Sequence, residues 1–136
     1  MANSGIMDQA SLVLKKSLDL RLRNQQIIAG NVANAQTPGY QAQRFEFESA
    51  LQQAVTGEGH DVATTHHRHI STHGGSIGNV KGKISEVRDT SGLGDGNTVD
   101  VDQEMVQLAE NQIMYEATAQ LLSKKMGIIK YVVQGN

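Results

Sequence analysis

Histidine is the residue type best able to do chemistry in this sequence, and all its copies fall in one short segment. The five are His60, His66, His67, His69 and His73. Imidazoles at such spacings could ligate zinc or a similar ion. A metal site also needs elements that orient its ligands, and no helix or strand pattern surrounds these histidines. We therefore predict a solvated polar loop without bound metal, and a metal-binding protein remains the alternative.

Other combinations that could support catalysis have simpler explanations. The segment 92–96 (GLGDG) resembles a phosphate-binding loop, but it lacks the following Lys-Ser/Thr and no apolar strand precedes it. Asp100, Asp102 and Glu104 stand close together, yet they occupy the first turn of a predicted helix, where the helix dipole favours acidic side chains. We predict that the protein is not an enzyme and binds no cofactor.

Length and composition describe one domain with little material for a thick core. The chain has 136 residues, a net charge of −2, 4% aromatic residues and no cysteine. The small charge and the lack of a basic stripe argue against a nucleic-acid partner. No apolar run reaches the roughly 18 residues of a transmembrane helix, so we expect no direct membrane insertion. The first residues lack the basic and then apolar pattern of a cleaved secretory signal.

An amphipathic helix is predicted over residues 11–35. Apolar side chains recur there at helical spacing, while Lys15, Lys16, Arg21 and Arg23 mark a wet side. The apolar positions expected to pair with another helix are Leu14, Leu18, Leu22 and Val32.

A longer helix is predicted within residues 97–136, with Asp100 as its N-cap. Its apolar positions alternate spacings of four and three, the pattern that keeps one face of a helix against a partner helix. These positions, together with the polar Gln112, form the predicted seam: Val101, Met105, Leu108, Gln112, Tyr115, Ala119, Leu122, Met126, Ile129 and Val133. The seam is about 50 Å long, so it exceeds the first helix, and part of it must find another chain or stay exposed.

The middle of the chain, residues 57–96, carries nine of the fourteen glycines. We predict a largely irregular, flexible excursion that holds at most a short β-hairpin. Residues 36–56 form a turn and a following segment, in which Phe45-Glu46-Phe47 suits a strand or the start of a small helix. The predicted fold is mainly α: one domain over residues 1–136, whose N- and C-terminal helices pair as an antiparallel coiled coil.

The segment NVANAQTPGY, residues 31–40, ends the first helix abruptly. Pro38 cannot continue a helix, and Gly39 can adopt a positive φ, so the pair predicts the centre of a tight turn. We expect the residues of this segment to serve shape and subunit contact: Asn31, Ala33, Asn34, Thr37, Pro38, Gly39 and Tyr40.

This segment resembles the signature of the bacterial flagellar axial proteins, the family of rod, hook and hook-associated subunits. In that family an Asn-x-Ala-Asn-x-x-Thr-Pro-Gly-Tyr stretch closes the N-terminal helix, and a C-terminal heptad helix pairs with it. The resemblance covers residues 11–56 and 97–136, and the short chain is similar to the small proximal rod proteins. FlgC is one of two such small rod proteins. The C-terminal stretch resembles the other one more than FlgC, and residues 65–70 (THHRHI) resemble a Thr-x-x-Arg-His stretch in the middle of that other protein.

The resemblance implies a structural subunit of the proximal rod in the flagellar basal body, outside the cytoplasmic membrane. Such a subunit is exported through the flagellar type III apparatus without signal cleavage. It polymerises through its terminal helices, links the membrane ring and export gate to the rest of the rod, and transmits torque. The implied partners are itself, other rod proteins (FlgC-like, FlgF-like and FlgG-like), the adaptor FliE, the export apparatus and the membrane ring. FlgC itself remains the alternative within the family.

Overall fold

Two long helices lie side by side in the computed structural model, which describes residues 8–56, 77–90, 92 and 94–135. The elements in chain order are α1 (Gln9–Ala33), β1 (Gln43–Glu46), α2 (Glu48–Thr56), a 3-10 turn (Ile77–Asn79), β2 (Lys83–Glu86) and α3 (Val101–Gln134). The protein is mainly helical, as predicted.

The antiparallel pairing of α1 with α3 is confirmed by contacts near both ends of α1. Before its first turn, Asp8 Oδ2 accepts a hydrogen bond from Lys125 Nζ over 2.7 Å. Near its last turn, Asn31 Nδ2 donates to Glu104 Oε2 over 3.0 Å. The start of α1 therefore lies beside the distal part of α3, and its end lies beside the first turn of α3.

Both helices begin at an aspartate that caps them. Asp8 accepts from the Ser11 N–H over 2.9 Å, and Asp100, the predicted cap, accepts from the Gln103 N–H over 3.1 Å. Each carboxylate satisfies an amide that has no partner within its own helix. α3 is capped at its C-terminal end by Gly135, whose φ of 68° is a left-handed conformation that glycine adopts readily.

A two-stranded antiparallel sheet completes the secondary structure of the described ranges, where the sequence predicted at most a short β-hairpin. Phe45 of β1 lies opposite Ile84 of β2. The segment after the turn forms both predicted alternatives in succession, since β1 is followed directly by α2. The partner of β2 lies about forty residues earlier in the chain, so the pairing is not a local hairpin within the glycine-rich middle.

A small apolar core lies between α1, α2 and the sheet. Its buried members are Leu20, Phe47 and Val80. Partly buried residues pack around them: Phe45, Ala50, Leu51 and Ala54. α1 is therefore the central element, because it contacts α3 as well as this layer.

Candidate assembly surfaces

The predicted turn at Pro38 is present. The Tyr40 N–H donates to Thr37 O over 3.2 Å, which leaves Pro38 and Gly39 as the two central residues. Gly39 has a φ of 74°, as the third residue of a type II turn requires. The Gly39 N–H donates to Asp95 O over 2.8 Å, so the turn is joined to the chain that leads into α3.

Asn31 is fully buried, and its amide is hydrogen-bonded at both ends. Its Nδ2 donates to Gln43 O over 2.8 Å and to Glu104 Oε2 over 3.0 Å. Its Oδ1 accepts from the Gln43 N–H over 2.9 Å and from the Tyr40 hydroxyl over 3.4 Å. This one side chain joins α1, the start of β1 and the first turn of α3.

Glu104 is also fully buried, and it forms an ion pair with Arg44 of β1. Arg44 Nη1 donates to Glu104 Oε1, while Nη2 donates to Gln103 Oε1 over 3.0 Å. A buried carboxylate is stable only when it is paired and hydrogen-bonded. The first-turn position of Glu104 suggested a role at the helix dipole, but its partners give it a role in tertiary structure.

The other residues of the 31–40 segment finish α1. Asn34 Nδ2 donates to Gly30 O over 2.8 Å, and Thr37 Oγ1 donates to Asn34 Oδ1 over 3.3 Å. Asn31 and Asn34 lie one turn apart but serve different partners. Ala33, the last residue of α1, is exposed.

Asn97, which the sequence analysis missed, binds this end of α1 from across the molecule. Its Nδ2 lies 2.8–3.1 Å from the carbonyl oxygens of Asn34, Ala35 and Thr37. Its Oδ1 accepts from the Val99 N–H over 2.8 Å. Carbonyls at the end of a helix lack intrahelical partners, and Asn97 satisfies part of that need. We call residues 31–44 and 95–104 together the corner.

The side of α3 that packs on α1 differs from the predicted seam near the corner. Six seam members are half-buried: Leu108, Tyr115, Ala119, Leu122, Met126 and Ile129. Four are exposed: Val101, Met105, Gln112 and Val133. Glu104 and Asn111 are the buried residues in place of their neighbours Met105 and Gln112.

Asn111 explains part of this difference, because its partners are polar groups of α1. Its Nδ2 donates to Arg21 O over 2.9 Å, and its Oδ1 accepts from Asn24 Nδ2 over 3.3 Å. A buried polar residue that must meet a particular partner fixes the register of a helix pair.

On α1, three of the four predicted pairing residues are half-buried: Leu14, Leu18 and Val32. The fourth, Leu22, is exposed. The most buried apolar residues of α1 are Leu20, Ile27 and Ile28. A single apolar stripe does not describe this helix, because it packs against α3 on one side and the small core on another.

A second stripe runs along the outside of α3. Its members are all exposed: Val106, Glu110, Ile113, Ala117, Leu121, Lys124 and Ile128. Val106 and Ile113 each follow a buried residue by two positions, which places them about 200° around the helix from those buried residues. Glu110 and Ile113, although exposed, also line a groove that α3 forms with α1 and β1. We call this set the outer stripe. An exposed apolar stripe of this kind is a candidate site of interaction.

A groove of about 610 Å³ between α1, β1 and α3 is the main concave feature near the corner. Arg21 lines it, with its guanidinium carbon 5.6 Å from the centre of the Phe47 ring and Nη2 3.6 Å from the Glu48 carboxylate. These contacts hold the Arg21 guanidinium in place, so its role is structural.

The predicted histidine loop lies outside the described residues, from His60 to His73. Among the residues that the structure describes, no cluster of three or more His, Asp or Glu side chains could hold a metal ion. None of the helices in the described ranges is long and apolar enough to cross a membrane.

Asp8 combines its capping role with an ion pair to α3. The pKa of its carboxyl is lowered to about 2, first by the hydrogen bond from Lys125 and then by those from the Ser11 amide and hydroxyl. Each of these bonds favours the charged form.

The fold and the corner define a class: small, mainly helical proteins built on an antiparallel pair of terminal helices. No protein-family model matches the chain. It is 36% identical to the flagellar basal body rod protein FlgB of Salmonella typhimurium over 135 residues, covering 95% of this chain and 96% of that protein. It is 35% identical to the same-named protein of Bacillus subtilis over 111 residues, covering 82% of each. The FlgB of Aeromonas hydrophila is 32% identical over 124 residues, covering 90% of this chain and 92% of that protein.

The chain therefore belongs to the family of flagellar basal body rod protein FlgB. The resemblance found in residues 31–40 is confirmed for the family, and these relatives carry the name FlgB and not FlgC.

Proposed function

We propose that this chain is a structural subunit of the proximal rod of the flagellar basal body. It polymerises through its terminal helices, links the membrane ring and export gate to the rest of the rod, and transmits torque. The similarity to rod proteins along nearly the whole chain supports this role. The whole chain, residues 1–136, acts as one rod-type domain.

The observation that carries the proposal is the apolar surface that α3 leaves uncovered. α3 has 34 residues and α1 has 25, which correspond to about 51 Å and 37 Å. Asp8, just before α1, meets Lys125, and the half-buried part of the seam ends at Ile129. Residues 130–134 are all exposed, and we call them the overhang. Tyr131 and Val132 of the overhang are 65% and 71% exposed.

A rod subunit needs such surface because an open helical polymer uses heterologous contacts. One patch on each subunit must meet a different patch on the next. The outer stripe and the overhang supply apolar patches that the single chain leaves open. No catalytic step is part of this role.

The proposed location is the rod, outside the cytoplasmic membrane, reached through the flagellar type III export apparatus without signal cleavage. The proposed partners are other copies of the chain, rod proteins of the FlgC, FlgF and FlgG kinds, the adaptor FliE and the membrane ring. The names of the relatives support the basal body as the site of assembly.

Removing the overhang tests this role without dismantling the helix pair. A chain that ends at Ile129 keeps the ion pair to Asp8, the half-buried residues of the seam and the contacts of the corner. We expect its α1–α3 pair to stay folded by circular dichroism, while motility and recovery in purified basal bodies are lost in a host that lacks its own FlgB. The full chain carrying Gln134→Ala is the matched control and should restore both. A truncated chain that still restores motility would contradict the proposal.

A further inference from the structure

The outer stripe reads the same in both directions from Ala117. Val106 and Ile128 lie eleven residues from it, Glu110 and Lys124 lie seven, and Ile113 and Leu121 lie four. The spacings are therefore 4, 3 and 4 on each side. Two repeats of eleven residues give about 3.67 residues per turn, so the stripe runs almost parallel to the axis of a straight helix.

We propose that the outer stripe forms an antiparallel homodimer, in which α3 of one copy packs on α3 of a second copy about a two-fold axis at Ala117. In that register Ile113 lies opposite Leu121 of the second copy, and Val106 lies opposite Ile128. Symmetry repeats each of these apolar pairs. All four side chains are more than half exposed in the single chain and become covered together.

Charge selects the antiparallel orientation. Glu110 lies opposite Lys124 of the second copy, and Lys124 lies opposite its Glu110. Neither side chain forms a hydrogen bond or an ion pair within the ranges described for the single chain, so both are free to pair. A parallel pair in the same register would place Glu110 against Glu110 and Lys124 against Lys124, and like charges in contact oppose association.

Ala117 allows the two helices to approach. Helix axes pack 8–10 Å apart depending on the side chains at the contact, and a methyl group at the axis favours about the lower value. The paired segment from Val106 to Ile128 is about 33 Å long. An interface of this size belongs to the weak, reversible class, so the dimer forms at high protein concentration.

The dimer goes beyond the proposed function. Its effect on rod assembly is the one consequence that rests on the proposed function. An isologous contact closes on itself and cannot propagate, whereas a rod needs heterologous contacts. In a rod subunit, the dimer would cover the outer stripe and hold the chain out of the polymer until the stripe is released.

Charge reversal tests the pairing in the full chain. Sedimentation equilibrium over rising concentration should show a monomer–dimer equilibrium. Glu110→Lys and Lys124→Glu should each weaken dimerisation at least about tenfold, since each creates two like-charge contacts. The double variant with both reversals should recover the original affinity. Glu116→Lys, an exposed reversal on another side of α3, is the control and should have little effect.

Cysteine cross-linking tests the register, because the chain has no native cysteine. Ala117→Cys should form a covalent dimer on oxidation with diamide, since its two copies meet at the axis. Glu110→Cys should not, because its two copies lie about 21 Å apart along the helices, beyond the reach of a disulfide. Equal cross-linking at both positions, or a chain that stays monomeric at every concentration, would overturn the dimer. Either result leaves the rod role standing, because that role is measured by recovery in basal bodies.

Discussion

At the scale of single residues, buried polar side chains connect the two helices at the corner. Asn31 and Glu104 are both completely buried, and each is hydrogen-bonded to groups from other elements. Such pairs add little net stability compared with apolar packing, but breaking one partner leaves the other without compensation. Their value is in register, because α1 and α3 can satisfy them in one alignment only.

Glu104→Gln should therefore destabilise the protein far more than its position in the first turn suggests. The amide keeps the size of the side chain but removes the charge that pairs with Arg44. We expect a loss of about 2–3 kcal/mol in the free energy of unfolding, measured by urea denaturation. Asp102→Asn, in the same turn but exposed, should cost about 0.3–1 kcal/mol through the helix dipole alone. Equal losses would show that Glu104 acts only through the dipole.

The stability that the contact between Asp8 and Lys125 contributes should depend on pH. Because the folded pKa of Asp8 is lowered to about 2, its contribution to stability is present above its ordinary pKa near 4 and is lost as pH falls towards 2. Carboxyl ¹³C shifts of Asp8 followed against pH by NMR should give the lowered value. Lys125→Met should raise this pKa but leave it below normal, since Ser11 still donates two hydrogen bonds. An unchanged pKa in that variant would remove Lys125 as the main cause.

At the scale of elements, α3 has two faces that carry apolar residues, whereas the sequence predicted one. The inner face follows part of the predicted seam and then turns to Glu104 and Asn111 at the corner. The outer stripe carries exposed apolar residues away from Glu104 and Asn111, and its members Glu110 and Ile113 also line the groove beside β1. A helix that is apolar on both sides is normally buried, and the described parts of the chain leave one side of α3 exposed, so that side suits a partner from another chain.

The sheet depends on close packing at Gly82. A Cβ atom there would lie 2.1 Å from the Phe45 ring, which itself packs with Phe47 at a centroid distance of 5.5 Å. Gly82→Ala should therefore cost about 1–3 kcal/mol of unfolding free energy through overpacking. Gly127→Ala, in α3 with nothing within 4 Å of the new atom, should instead stabilise by about 0.5–1 kcal/mol. Thermal melts of the two variants should shift in opposite directions, and two shifts of the same sign would contradict this account.

At the scale of the whole molecule, the described chain has a small buried core, and much of its apolar side-chain surface is exposed. The described core is centred on Leu20, Phe47 and Val80, while α3 exposes a full stripe. This division suits a subunit that completes its packing in a larger structure. It also gives the stripe two possible uses, a closed dimer and an open polymer, which compete for the same side chains.

The sequence by itself determined the features that have local causes. Pro38 and Gly39 predicted the turn through backbone sterics, Asp100 predicted the start of α3 through capping, and periodicity predicted two terminal helices that pair. The segment 31–40 also indicated the family, because its residue types and spacing are specific.

Only the tertiary structure decided which residues face inward at the corner. The partners of Glu104 and Asn97 lie about sixty to seventy residues away, so no local pattern distinguishes Glu104 from an acid at a helix dipole, or Asn97 from a loop residue. The same holds for α3: periodicity indicates that a helix has an apolar face, but the face that packs on α1 is selected by the hydrogen bonds of Asn31, Asn111 and Glu104. Those bonds exist only after distant segments have met, because each one joins atoms on different elements.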